Sequence, residues 1–114
     1  IDLVALKFAC MINGVTQVVM TKADVLDNFE MLDVCTAYSI NGERTQQVPL
    51  QMERLPLVPE YQEFKGWNTD TTKLSDANLL PQDMKSYIEF INEYLGAPVK
   101  FVSNGPGRDQ IISL

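Results

Sequence analysis

The sequence predicts an α/β fold: helix–strand units of the kind found in a larger, mostly parallel sheet, with an antiparallel hairpin attached. Three observations carry this. An almost continuously apolar run, Leu3 to Ile12, stops at Asn13-Gly14 and is followed by a short β-branched run. A second periodic run ends at Gly96 and Pro98 just before Val99 and repeats that order. Between the two, an alternating strand meets Asn41-Gly42. Helices alternating with buried strands favour an α/β arrangement.

Each element follows from local chemistry. Leu3 to Ile12 is apolar on nearly every side, broken by Lys7, so the helix is expected to be covered on more than one face. Gly14 can take the left-handed conformation that stops a helix. Val15 to Thr21 reads as a short buried strand. Asp24 to Asp27 reads as a helical turn with Asp24 as its N-cap. Leu32, Val34, Thr36, Tyr38 and Ile40 alternate, which puts them on one face of a strand. Asn41-Gly42 is a hairpin signal, because both central residues of a type I′ turn need positive φ. Glu43 to Val48 is the expected return strand, Pro49 to Pro59 a loop, and Glu60 to Phe64 a short strand ended by Gly66-Trp67-Asn68. The clearest helix starts at Pro81, with Met84, Tyr87, Ile88, Ile91, Tyr94 and Leu95 repeating at three and four. Gly96 and Pro98 end it. Val99 to Val102 is a strand leading into "SNGPGR", and Arg108 to Leu114 a last strand.

Composition narrows the partners. The 114 residues suit one domain with a modest core. Net charge is −6, which argues against nucleic acid, whose phosphates call for a basic face. No apolar run is long enough to span a membrane. The N-terminal stretch has no basic region ahead of its apolar patch and is not read as a secretory signal. The chain opens inside a helical pattern without an initiator Met, and it is read as a fragment of a longer polypeptide. Cys10 and Cys35 lie among apolar residues and are expected to be buried free thiols. That fits a cytoplasmic location.

Two polar loops follow predicted strands: "TKAD" (Thr21 to Asp24) and "SNGPGR" (Ser103 to Arg108). In open parallel sheets, ligands sit beyond the carboxyl ends of strands. A carboxylate accepts two parallel N–H bonds, and guanine presents such a pair, N1–H and its exocyclic amine. Adenine presents an acceptor at N1, so one Asp discriminates the two bases. Lys22 and Asp24, two apart, return to the same side of an extended backbone, and the Lys stem can lie across the base. Gly105 permits close approach to a flat ring, Pro106 stiffens the turn, and Ser103 offers a hydroxyl. Each motif also has a plain structural reading. K-x-D serves as an N-cap with a solvated Lys, and Gly-Pro-Gly as a turn. Arg108 reads as a surface charge paired with Asp109 or a Glu. Trp67 and the Tyr87–Tyr94 stripe read as packing.

The local wording goes further. "DLVALKFACMINGVTQVVMTKADVLD", "VCTAY", "YQEFKGWN" and "VKFVSNGPGRDQ", in that order, resemble the C-terminal part of adenylosuccinate synthetase, and the resemblance covers essentially residues 1–114. It implies a ligase that joins IMP and L-aspartate with cleavage of GTP, needs Mg2+, and is a cytoplasmic homodimer in purine biosynthesis. The family's guanine site maps onto Lys22, Ala23 and Asp24, and onto Ser103, Asn104, Gly105 and Pro106. Gly107 stands where the family usually has Asp. The family's Gly-rich phosphate loop, catalytic Asp and general-acid His have no counterpart here: the chain has no His at all, and its "NGPG" is not followed by Lys-Ser/Thr. No catalytic or metal-binding residue is therefore expected in this chain. It is expected to be inactive alone, with the guanine nucleotide and the remainder of the parent chain as its partners. The alternative is a stand-alone truncated homologue that acts as a non-catalytic binding or assembly module.

Overall fold

The structure is a computed structural model that describes residues 1–114. Helix α1 spans Leu3–Asn13. Asp2 caps it, its carboxylate accepting the Ala5 N–H at 3.0 Å. Gly14 closes it at φ 61°, where its N–H reaches back to the carbonyls of Cys10 and Met11. Strand β1 is Val18–Met20, shorter than the apolar run predicts. Strands β2 (Met31–Ile40) and β3 (Glu43–Thr45) form the expected hairpin. Asn41 and Gly42 both have positive φ, 52° and 86°, as a type I′ turn requires.

The stretch beyond the hairpin departs from expectation. Residues Leu57–Lys65 form a long strand β4, so the predicted loop ends earlier and the predicted short strand is longer at both ends. β4, rather than the brief β3, pairs with β2 along nearly its whole length. Pro59 lies opposite Tyr38 in this pair. A proline is tolerated there because β4 is an edge strand of the β3-β2-β4 sheet.

Helix α2 spans Gln82–Leu95 and buries Met84, Tyr87, Ile88, Ile91 and Leu95, the predicted stripe. Gly96 ends it at φ 70°. Strand β5 (Val99–Ser103) lies between β1 and β6 (Ile111–Ser113) in a second sheet. Only the β1–β5 pair is parallel; the other pairs are antiparallel. The mostly parallel sheet of the sequence reading is thus reduced to one pair here. A short turn such as Asn104–Gln110 can return the chain only antiparallel, whereas β1 and β5 each follow a helix.

The main core gathers Leu3, Val34, Met84, Ile91, Val102 and Ile112 between α2 and the two sheets. A smaller core joins Val4, Cys35 and Tyr38. The alternating residues of β2 therefore do not share one face. The β2–β4 register shifts between Cys35 and Ala37, and this bulge hands Tyr38 to the small core while Leu32 and Val34 stay in the main one. The carbonyl of Thr36, at the shift, is taken by side chains: the Tyr94 hydroxyl donates to it at 2.7 Å and the Gln46 amide at 3.2 Å. Cys10 and Cys35 are buried and free, as expected. No helix is long and apolar enough to cross a membrane.

Helix α1 packs on α2 and β2, yet Met11 and Ile12 on its last turn are 69% and 63% exposed. The expected covering is present where Leu3 joins the main core and Val4 the smaller one, and is missing over Met11 and Ile12.

Tyr38 donates its hydroxyl to Asp2. Burial raises its pKa above the ordinary phenol value, reinforced by the bond to Asp2 and that residue's charge. The neutral form is thus favoured by folding. Its contribution is complete below about pH 10 and is lost as pH rises further. Urea midpoints measured from pH 8 to 11 are expected to fall with pH, and less steeply in Tyr38→Phe. An equal slope in the variant would show that Tyr38 does not contribute.

Candidate functional site

Both candidate loops lie at the same end of neighbouring parallel strands. β1 and β5 run side by side with Met20 opposite Val102, so Thr21-Lys22 and Ser103-Asn104 leave the sheet together. The site they frame is an open surface, with Lys22 and Pro106 both exposed. A cleft of about 760 Å³ lies elsewhere, beside the β2–β3 hairpin between Ile40 and Leu50.

After β1 the chain makes a 3-10 turn, Ala23–Leu26, whose cap position is Lys22 with φ 58° and no side-chain capping bond. Asp24 lies inside the turn, so the N-cap reading of this carboxylate is overturned. The argument from extended-strand alternation also fails, since Lys22 is left-handed and Asp24 helical. The turn itself now sets their relation. Its carbonyls are engaged: Val25 N–H donates to Lys22 and Asp27 N–H to Asp24, both at 3.2 Å. Ala23 is 1% exposed and its methyl belongs to the main core. Its side chain anchors the turn, and the residue as a whole is closed to solvent.

The charged groups of the turn are unspent. The chain's ion pairs are Arg44–Glu60, Arg54–Glu53 and Lys65–Asp83. Neither Lys22 nor Asp24 takes part, and Asp24 is half-buried. Arg108 is exposed and joins none of these pairs either, against the expected surface pairing.

The second loop is held from within. The Ser103 hydroxyl donates to the Gly105 carbonyl at 3.1 Å. Asn104 is fully buried. Its side-chain amide donates to the carbonyl of Thr71 and, at 2.9 Å, to that of Leu74. The expectation that Asn104 contacts a base is corrected for its side chain, which is committed inward. Gln110 braces the loop: its Oε1 accepts the Gly107 N–H at 2.8 Å and its Nε2 donates to the Thr72 carbonyl at 3.1 Å. A Cβ on Gly105 would lie 2.4 Å from the Gln110 amide. A side chain at Gly105 would push the Gln110 amide out of its bracing position. A Cβ on Gly107 would meet the Asp109 carboxylate at 2.6 Å and Gln110 Oε1 at 2.9 Å. Both contacts are the ends of flexible side chains that can move aside, so the packing does not account for Gly107.

Sequence reasoning missed Asp27. It is 4% exposed and has no ionic partner. Its carboxylate accepts the Trp67 indole N–H at 2.7 Å, the Thr71 N–H at 2.7 Å and the Thr71 hydroxyl at 3.0 Å. Trp67 is buried, as its packing role requires. Burying a carboxylate is unfavourable unless its lone pairs are met, and here neutral donors meet them. The residues involved are 40 and 44 positions apart, so no spacing in the sequence announces them. The segment Trp67–Leu74 ties both loops together: Asp27 holds it from the first, Asn104 from the second.

Comparison with known proteins agrees with this architecture. A sequence model of adenylosuccinate synthetase matches residues 1–112. Adenylosuccinate synthetase of Flavobacterium psychrophilum is 48% identical over 113 residues, covering 99% of this chain and 27% of that protein. The Parabacteroides distasonis protein of the same name is 46% identical over 112 residues, covering 98% of this chain and 26% of its own length. The solved structure of fully ligated adenylosuccinate synthetase from Plasmodium falciparum superposes with a TM-score of 0.93 at 28% identity, over 100% of this chain and 28% of that one. The chain thus spans about a quarter of the length of the relatives it matches. These matches state a share of the relatives and carry no support for the C-terminal placement that the wording suggests. With the sequence model, the relatives and the fold in agreement, the chain belongs to the adenylosuccinate synthetase family.

Proposed function

We propose that this chain supplies the guanine-recognition surface of a GTP-dependent ligase that joins IMP and L-aspartate. The observation that carries the reading is the free, half-buried carboxylate of Asp24 at the end of β1, beside the Ser103–Pro106 loop at the end of β5. Asp24 accepts N1–H and the exocyclic amine of guanine. The Lys22 stem lies along the base with its ammonium in water. Ser103 and the backbone of Gly105 and Pro106 complete the edge around the ring, while the buried Ala23 and Asn104 fix the two turns behind it. Groups that hold phosphates and Mg2+ come from other parts of the parent. The bare last turn of α1 packs against the remainder of the parent, since exposed apolar patches of this kind mark contact surfaces.

The test is Asp24→Asn in the full-length parent. The amide offers one acceptor and one donor, which suits xanthine, with a carbonyl where guanine has its amine. Preference for GTP over the inosine and xanthosine triphosphates is expected to fall about ten- to a hundredfold, the effect of about 1–3 kcal/mol. Unchanged selectivity would refute the assignment.

A further inference from the structure

We propose that Asn104, Thr71 and Asp27 are positioning residues for base selectivity, coupling the two loops through the Trp67–Leu74 segment. The proposal rests on the guanine reading above and goes beyond it. It assigns part of the specificity to side chains that cannot touch the base.

The argument is geometric. The first loop is anchored by Asp27, which accepts the N–H and hydroxyl of Thr71. The second is anchored by Asn104, which donates to the carbonyl of that same Thr71. Thr71 is fully buried. Its N–H, hydroxyl and carbonyl are all committed to this link, so it bridges two loops separated by most of the chain. A carboxylate reads two N–H groups only when its plane is aligned with them. Asp24 lies on a 3-10 turn of four residues, too short to hold its own direction. The Asp27 anchor at the end of that turn, and Asn104 behind the facing loop, therefore set the distance and angle between the carboxylate and the Ser103–Gly105 edge. Asn104 Oδ1 is buried with no partner among protein groups. The amide's two donors reach the Thr71 and Leu74 carbonyls, so the side chain is held at one end only, by the segment that links the loops.

The experiment uses the full-length parent with Asn104→Ala, Thr71→Val and Asp24→Asn, and the double variant Asp24→Asn/Asn104→Ala. The readouts are kcat/KM for GTP relative to inosine triphosphate, KM for IMP, and amide exchange of Val25 and Asp27. Asn104→Ala is expected to lower the GTP preference about two- to thirtyfold, leave KM for IMP unchanged, and speed exchange at Val25 and Asp27, which it does not contact. The double variant is expected to be no less selective than Asp24→Asn alone, because the anchor acts through Asp24. If Asn104→Ala does not fold, Thr71→Val carries the test, since it keeps the backbone link and removes only the hydroxyl bond to Asp27. Selectivity lost in Asp24→Asn but retained in both anchor variants overturns the positioning role and leaves the guanine reading standing. Additive losses in the double variant, or unchanged exchange, also overturn it. Selectivity retained in Asp24→Asn overturns the guanine reading, and the positioning role with it.

Discussion

Asp27→Ala is expected to destabilise the chain by about 2–6 kcal/mol. The change strands the Trp67 indole N–H and the Thr71 N–H in a buried place, each at about 1–3 kcal/mol. The Thr71 hydroxyl can rotate to another acceptor and adds little. Asp27→Asn should be milder, because one oxygen survives while the new NH2 opposes a donor. The measurement is a urea titration followed by the fluorescence of Trp67, the single tryptophan. Since the indole bonds to Asp27, the same signal reports the local change and the global transition. A midpoint shift worth under about 1 kcal/mol in Asp27→Ala would show that the carboxylate is not the anchor described.

Gly66→Ala is expected to be at least as damaging, about 3 kcal/mol or more, for a reason its dihedral angles do not reveal. A Cβ there would lie 1.8 Å from the Phe29 carbonyl oxygen and 2.8 Å from its carbon. Both are backbone atoms, so no side chain can swing away. The Gly66 N–H also donates to the Glu30 carbonyl at 2.8 Å, which pins the end of β4 to the start of β2. Overpacking a close contact typically costs about 1–3 kcal/mol when side chains can adjust, and here they cannot. Gly14→Ala offers the contrast. Gly14 has φ 61° but open space around its Cβ position, so its cost is only backbone strain, about 1 kcal/mol. Thermal unfolding should therefore rank Gly66→Ala well below Gly14→Ala. The reverse order would mean that conformation, rather than crowding, governs these glycines.

The parts of the site differ in how readable they were. Lys22 and Asp24 were found as a tripeptide, and the parallel pairing of β1 with β5 puts them beside Ser103 as the alternation of helices and strands predicts. The details needed coordinates. Ala23 and Asn104, both named as ligand contacts, turn their side chains inward. Lys22 leaves the extended path, so its relation to Asp24 differs from the one that strand parity implies. The β2–β4 ladder was likewise hidden, because a proline inside Leu57–Lys65 argued for a loop and only an edge position makes it acceptable.

What the sequence by itself determined is local: the α2 stripe and its Gly96 stop, the Asn41-Gly42 turn, and the family wording of four ordered blocks. These signals act within a few residues, where spacing and backbone preference suffice. Only the tertiary structure decided that Asp27, Thr71 and Asn104 form one link, and that Gly66 has no room for a methyl. Those facts depend on groups 33 and 44 residues apart meeting within hydrogen-bond distance. A buried carboxylate or amide takes its role from whichever donors the folded chain brings to it.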